Sequence, residues 1–437
     1  MFRNRNKKLR LIGLIALALV LSLGGFAAVF AAGEPIVADN ESDLIDATLT
    51  KVLKTPLNTT LPAGLTTYTF KFTKVSVDSG SLGLGDMPAI ADKQVSFTSS
   101  TLGVTDGDTI TYTSELTPGI FGALNFPAAG IYIYKITEMQ TQEDLNTNKV
   151  IYANSDAEYN VSVYVKKKSD GSNDLYIYAI SARIVVQDYE DQGEVGDKVD
   201  PTPGWKTAVE GDYSQMTFTN TYIKKNGGED PTDPDPEESS IIVSKAISGS
   251  EASTTRYFAF KVTVTRPSIA VAPDVFKGYV VSSANTIVTN SDNGAVVTDA
   301  AGNYIEFATG VETDVYLQAG QRLVFVDAPI GSSYVASEPG TEGYVPKVSI
   351  VVNGATPIAI PDVSDTALLP GASLTTDLRY IGAAENSAAF TNTYSDDPPT
   401  GIIMNNLPYF LLIVLAAGAL ATFAIIRNRR KKSGSYR

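Results

Sequence analysis

Alternation of one residue in and one residue out recurs along most of this chain. TTYTFKFTKVSV, GIYIYKITE, AEYNVSVYVKKK and LYIYAISARIVV follow it in the first half, YFAFKVTVTR and KVSIVVNG in the second. Successive side chains on a strand point to opposite faces, so these segments read as strands buried on one side. They are rich in Thr, Val, Tyr and Ile and bounded by turn residues, and no long 3.6-residue period interrupts them. Short strands without helices predict an all-β chain built of antiparallel sandwiches.

The two ends depart from this pattern. Residues 1–32 carry Arg3, Arg5, Lys7, Lys8 and Arg10, then an apolar run, then Ala31 and Ala32. That order reads as a secretory signal peptide, with an uncleaved first membrane helix as the alternative. Residues 407–426 are uncharged, and at 1.5 Å per residue they span roughly 30 Å, a bilayer core. RNRRKK follows within residues 427–437, a basic cytoplasmic tail that leaves the preceding chain facing outward. All the acidic residues lie between these ends, where they outnumber the basic ones by 25. Such a surface repels phosphate backbones, so no nucleic-acid partner is expected.

The chain contains no Cys and no His. Disulfides and thiolate chemistry are excluded, as are Ser–His–Asp catalysis and the usual zinc ligand sets. No Gly-rich phosphate loop precedes a helix. DGSND (Asp170–Asp174) carries calcium-loop residue types, but it joins two alternating runs and reads as a hairpin turn. No metal and no cofactor are expected, and no conventional enzyme active site is visible.

A Pro-, Gly- and acid-rich segment at 224–239 cannot bury a core and divides the chain into domains at 44–223 and 240–395. Each domain closes with FTNTY, at Phe218–Tyr222 and Phe390–Tyr394. In both, the strand phase places polar residues among apolar ones. Leu49, Lys51 and Leu53 share a face, as do Ile241, Val243, Lys245 and Ile247. Tyr132, Tyr134 and Ile136 line up with Glu138, and Tyr334 and Ala336 with Glu338. Met216, Phe218 and Tyr222 line up with Asn220, and Ala388, Phe390 and Tyr394 with Asn392, the threonines facing out.

One reading of each residue alone is bland: a lysine snorkelling at an edge, a glutamate at a strand end, an asparagine in a turn. The same three types recurring in the same order and phase favour a chemical reading. Burial pushes a lysine toward its neutral, nucleophilic amine and a carboxyl toward its protonated form. An amine held against an Asn side-chain carbonyl can attack it, with Glu shuttling protons, so that ammonia leaves and an isopeptide bond remains.

With TLTKVLK, TTYTFKFTKV, GIYIYKITE and FTNTY in the first domain, and IIVSKAISG, VDAPIGSSYVASE and FTNTY in the second, the chain resembles the backbone pilins of Gram-positive bacteria. The likeness is to the streptococcal type, two isopeptide-linked Ig-like domains in tandem. It implies Lys51–Asn220 and Lys245–Asn392 as bonded pairs and Glu138 and Glu338 as catalytic acids, the residues that strand phase singles out.

DPPTG (Asp397, Pro398, Pro399, Thr400, Gly401) stands before the apolar stretch and basic tail. Gram-positive sorting signals have this tripartite, LPxTG-like form, with Leu usual where Asp397 stands; an unprocessed single-pass membrane protein is the alternative. The resemblance implies a specialised pilin sortase whose thiolate attacks the Thr400 carbonyl and passes the acyl group to a lysine of the next subunit, or finally to peptidoglycan. It puts the acceptor shortly before the Asn strand of the first domain, at Lys198 or, as the second choice, Lys206. YVPK (Tyr344–Lys347) looks like an acceptor motif but reads as a strand start. The expected product is a cell-wall-anchored pilus of head-to-tail copies, with minor pilins and surface ligands as further partners. A monomeric wall-anchored adhesin is the alternative, and a membrane ectodomain with an enzymatic role is a third.

Overall fold

The computed structural model describes residues 35–394, apart from 62–65, 81, 99–100, 140–149, 189–192, 204–212, 226–229, 234–240, 301, 327 and 362–367. The signal peptide, Lys206, DPPTG, the apolar stretch and the basic tail lie outside the described residues. Among the described residues there is no α-helix, one 3-10 turn at Leu84–Asp86, and no helix able to cross a membrane. The chain divides into two compact units, mainly up to Lys225 and from Asn226 onward. Each is a sandwich of two sheets.

In the first unit, one sheet runs in the order Gly103–Asp106, Thr109–Glu115, Thr50–Pro56, Thr217–Lys224, Val150–Ala153. The facing sheet runs Ile36–Val37, Leu175–Val186, Glu158–Lys167, Gly130–Glu138, Thr67–Asp78, Lys93–Ser96. Thr50–Pro56 and Thr217–Lys224 are far apart in sequence yet pair in parallel, with Lys51 opposite Phe218 and Leu53 opposite Asn220. Neighbours in sequence mostly pair antiparallel, as Glu158–Lys167 does with Leu175–Val186 around the DGSND turn. There the Asp170 carboxylate accepts the Ser172 amide and Asp174 O the Lys168 amide, as a hairpin requires.

The second unit repeats the plan. Its larger sheet places Ile241–Ser248 beside Ser387–Tyr394, again in parallel, with Lys245 opposite Phe390 and Ile247 opposite Asn392. Ser333–Glu338 lies in the smaller sheet between Phe258–Thr265 and Leu374–Thr375. Tyr344–Val351 begins at the YVPK segment and pairs with the closing strand, so that segment is a strand start.

The closing strands anchor each core through their phenylalanines. Phe218 meets Phe70 edge-on at 5.0 Å between ring centroids, and Phe390 meets Phe260 at 5.1 Å. Both contacts cross the sandwich, and edge-to-face pairs of this kind add about 1 kcal/mol beyond their buried area.

One expectation fails here. The FTNTY threonines face solvent in neither strand uniformly: Thr219 and Thr221 are buried, Thr391 is half-buried, and only Thr393 is exposed. Thr50 on the adjacent strand and Thr48 just before it are buried too, their hydroxyls donating to Ser214 O and Leu116 O respectively. Alternation identifies the two faces of a strand, but whether the second face is wet depends on what covers it. Here backbone carbonyls satisfy the hydroxyls of a covered face.

Candidate functional site

Lys51 is fully buried, and its sheet gives it no route to water. Its strand lies in the middle of the sheet, and the side chain points across the core toward the end of Gly130–Glu138 in the opposite sheet. Its Nζ donates to Glu138 Oε2 at 2.7 Å and to Asn220 Oδ1 at 2.6 Å, with Phe218 O as a third acceptor at 3.1 Å. Glu138 Oε1 accepts Asn220 Nδ2 at 2.7 Å. One carboxylate therefore bridges the amine that would attack and the amide nitrogen that would leave. The Lys51 amine also sits 4.5 Å from the centre of the Tyr68 ring, an attractive seat for a buried ammonium.

Burial pulls the Lys51 amine down to about 8, only partly opposed by Glu138. Burial likewise pushes the Glu138 carboxyl up, partly opposed by Lys51 and Asn220. The two shifts act together: both favour moving a proton from the amine to the carboxylate, giving a neutral nucleophile beside a neutral acid. Two charges taken out of water cost several kcal/mol each, so the pair is a weak source of stability and a good source of reactivity.

The second unit holds a matching cluster. Lys245 Nζ donates to both oxygens of Glu338, at 2.8 and 2.9 Å, and Asn392 Nδ2 donates to Glu338 Oε1 at 2.6 Å. Lys245 is also pulled down to about 8 by burial, and Glu338 is pushed up by it. The Lys245 amine sits 4.3 Å from the Phe258 ring. The two clusters differ at the carbonyl: Asn220 Oδ1 accepts two donors, whereas Asn392 Oδ1 has no hydrogen-bond partner among the described residues.

Sequence phase alone does not reveal three participants at the first cluster. The Ser155 amide donates to Asn220 Oδ1 at 2.8 Å, Tyr152 Oη accepts Asn220 Nδ2, and Asp188 secures the Ser155 turn. Tyr152 carries a signal in the alternation of VIYA. Ser155 acts through its backbone, which leaves no mark on side-chain pattern.

Lys198 stands apart from both clusters, on the short strand Lys198–Val199 opposite Arg183. It is half-buried, and desolvation, with Arg183 adding, lowers its amine below the ordinary lysine value. Among the described residues, no group of acidic side chains is arranged to hold a metal ion.

Residues 47–223 match a family described as the Spy0128-like isopeptide containing domain, and residues 239–367 match a domain of unknown function (DUF7601). No curated protein matches the chain. Among solved structures, the major pilin from Streptococcus pyogenes aligns at 16% identity over 80% of this chain and 99% of its own, with a TM-score of 0.30. A pilus-presented adhesin, Spy0125 (Cpa), aligns at 11% identity over 78% of this chain and 100% of its own, with a TM-score of 0.23. The fold class is all-β, and the family matched by the first domain is one of isopeptide containing domains.

Proposed function

We propose that the chain is a structural pilus subunit whose two domains are each closed by an intramolecular Lys–Asn isopeptide bond. The observation that carries this reading is the pair of buried clusters in which one carboxylate contacts both the lysine Nζ and the asparagine Nδ2. In each, the neutral amine attacks Cγ of the asparagine while Glu138 or Glu338 takes a proton from Nζ and delivers it to Nδ2. The Nζ–Cγ bond forms, the Cγ–Nδ2 bond breaks, and one ammonia leaves, with no oxidant or cofactor required. The links join Lys51 to Asn220 and Lys245 to Asn392. Tension applied at the ends of a domain then runs through covalent bonds between its parallel strands rather than through a ladder of hydrogen bonds.

Assembly is the work of an external enzyme. A pilin-type sortase cleaves between Thr400 and Gly401 of DPPTG and transfers the Thr400 acyl group to Lys198 of the next copy, with Lys206 as the alternative acceptor. The last subunit passes to peptidoglycan, and the cell surface is the resulting location. Intact mass tests the internal bonds: the purified chain falls two ammonia short of its sequence mass. A full sequence mass in the folded chain sinks the reading. A sortase-dependent ladder on a denaturing gel tests polymerisation, and a single wall-linked band favours the monomeric adhesin instead.

A further inference from the structure

The Asn220 carbonyl oxygen, besides the bond from Lys51, accepts a backbone donor. The Ser155 amide lies 2.8 Å from Oδ1, within the range at which an oxyanion donor acts. Ser155 belongs to an irregular stretch between Val150–Ala153 and Glu158–Lys167, where no sheet partner fixes its amide. The Asp188 carboxylate does so instead. Its Oδ2 accepts Ser155 Oγ at 2.6 Å and the Thr219 amide at 2.9 Å. Its Oδ1 accepts the amides of Asp156 at 2.6 Å and Ala157 at 2.7 Å. One side chain thus ties the turn carrying the Ser155 amide to the residue preceding Asn220.

We infer that the Ser155 amide stabilises the oxyanion on Asn220 as Lys51 attacks, and that Asp188 is the positioning residue that holds it there. The inference rests on the reading that Lys51 and Asn220 become linked. When Nζ adds to Cγ, the carbonyl π electrons move onto Oδ1, and a donor already aimed at that atom needs no reorganisation. The second domain offers an internal contrast, because Asn392 Oδ1 lacks a hydrogen-bond partner among the described residues.

The experiment uses the full chain made by cell-free translation, quenched in denaturant at intervals, digested, and analysed by mass spectrometry for the two linked peptides. In the wild type, the Lys51–Asn220 peptide accumulates before the Lys245–Asn392 peptide. Each Asp188 oxygen accepts two donors, so Asp188→Asn puts an NH2 group against donors whichever way it turns, and it slows the first link at least ~10-fold, since loss of one oxyanion donor costs about 100-fold or more. The second link keeps its rate in the same molecules. Rates are taken only over protease-resistant, folded chains. Should Asp188→Asn fail to fold, Ser155→Ala removes the bond from Oγ to Asp188, together with a longer one that Oγ accepts from the Ala157 amide at 3.3 Å, and slows the first link several-fold. A role for Asp188 through charge alone has the opposite sign: its negative charge favours protonated Lys51, so Asp188→Asn would speed the link. An unchanged or faster first link in the folded variants, or earlier accumulation of the second link in the wild type, overturns the inference. A wild-type chain with no Lys51–Asn220 peptide at all overturns the isopeptide reading itself.

Discussion

Phe218 stands directly across from Lys51 in a parallel strand pair, and Phe390 stands across from Lys245 in the same register. That register explains why FTNTY closes both domains. The phenylalanine locks the closing strand against the opposite sheet, and the asparagine two residues on shares its face, so the amide is delivered to the lysine. A slip of one residue would turn the asparagine away from the core altogether.

The glutamate is the member of each cluster that belongs to neither of the two parallel strands. Glu138→Ala removes the carboxylate that, among the described residues, is bonded to both Lys51 Nζ and Asn220 Nδ2. The expected result is a mass deficit of one ammonia in place of two, with the remaining linked peptide coming from the second domain. Glu138→Gln gives the same result, because an amide accepts hydrogen bonds but cannot carry the proton to the leaving nitrogen. A deficit of two ammonia in both variants removes Glu138 from the chemistry.

Linking residues 169 apart restricts the unfolded chain severely. By the loop-entropy treatment of cross-links, the constraint contributes about 5 kcal/mol. Asn220→Ala therefore lowers the stability of the first domain by roughly that amount, read as a drop in its calorimetric transition, while the second domain's transition stays in place. Equal transitions in the variant and the wild type show that no link constrained the wild type.

Much of this site was legible before any coordinates, and the reason is specific to strands. A period of two leaves no ambiguity about which side chains share a face, so Lys51 beside Leu49 and Leu53 had to be buried or mispaired. The same rule says nothing about segments without a period. Ser155 enters the site through an amide, and Asp188 reaches it from beyond the end of Leu175–Val186, so neither has a phase to read. Burial of Thr219 and Thr221 escaped for a related reason: alternation sorts side chains into two faces without saying how many faces are covered.

An unlinked lysine leaves a pH signature that a linked one lacks. In Asn220→Ala the Lys51 amine remains titratable, held down at about 8 by burial against an ordinary value of 10.5. Between those two values the unfolded chain keeps a proton that the folded chain has released, so stability rises with pH across that window. Below about 8 the amine is protonated in both states and the contribution is absent. Asn220→Ala is therefore expected to gain stability on going from pH 8 to pH 10.5 relative to the double variant Asn220→Ala, Lys51→Met. Denaturant midpoints for the two chains at both pH values measure it, and parallel behaviour means that Lys51 is not buried in the unlinked fold.

The proposed polymerisation would draw on a different lysine, whose environment differs from that of the two buried ones. Lys198 lies on a two-residue strand, half-buried, with an amine lowered by desolvation and by Arg183 opposite it. A lowered amine has a larger neutral fraction at neutral pH, which suits a nucleophile that must resolve an acyl-enzyme. Lys198→Arg keeps the positive charge but removes that nucleophile, so the high-mass ladder on a denaturing gel is expected to collapse to monomer. The internal links survive in this variant, because Lys51 and Lys245 are untouched, and the intact mass still falls two ammonia short. Thr400→Ala, by contrast, is expected to abolish both the ladder and wall attachment, since each begins with the same acyl transfer. A ladder that persists in Lys198→Arg but disappears in Lys206→Arg moves the acceptor to Lys206 and leaves the rest of the scheme standing.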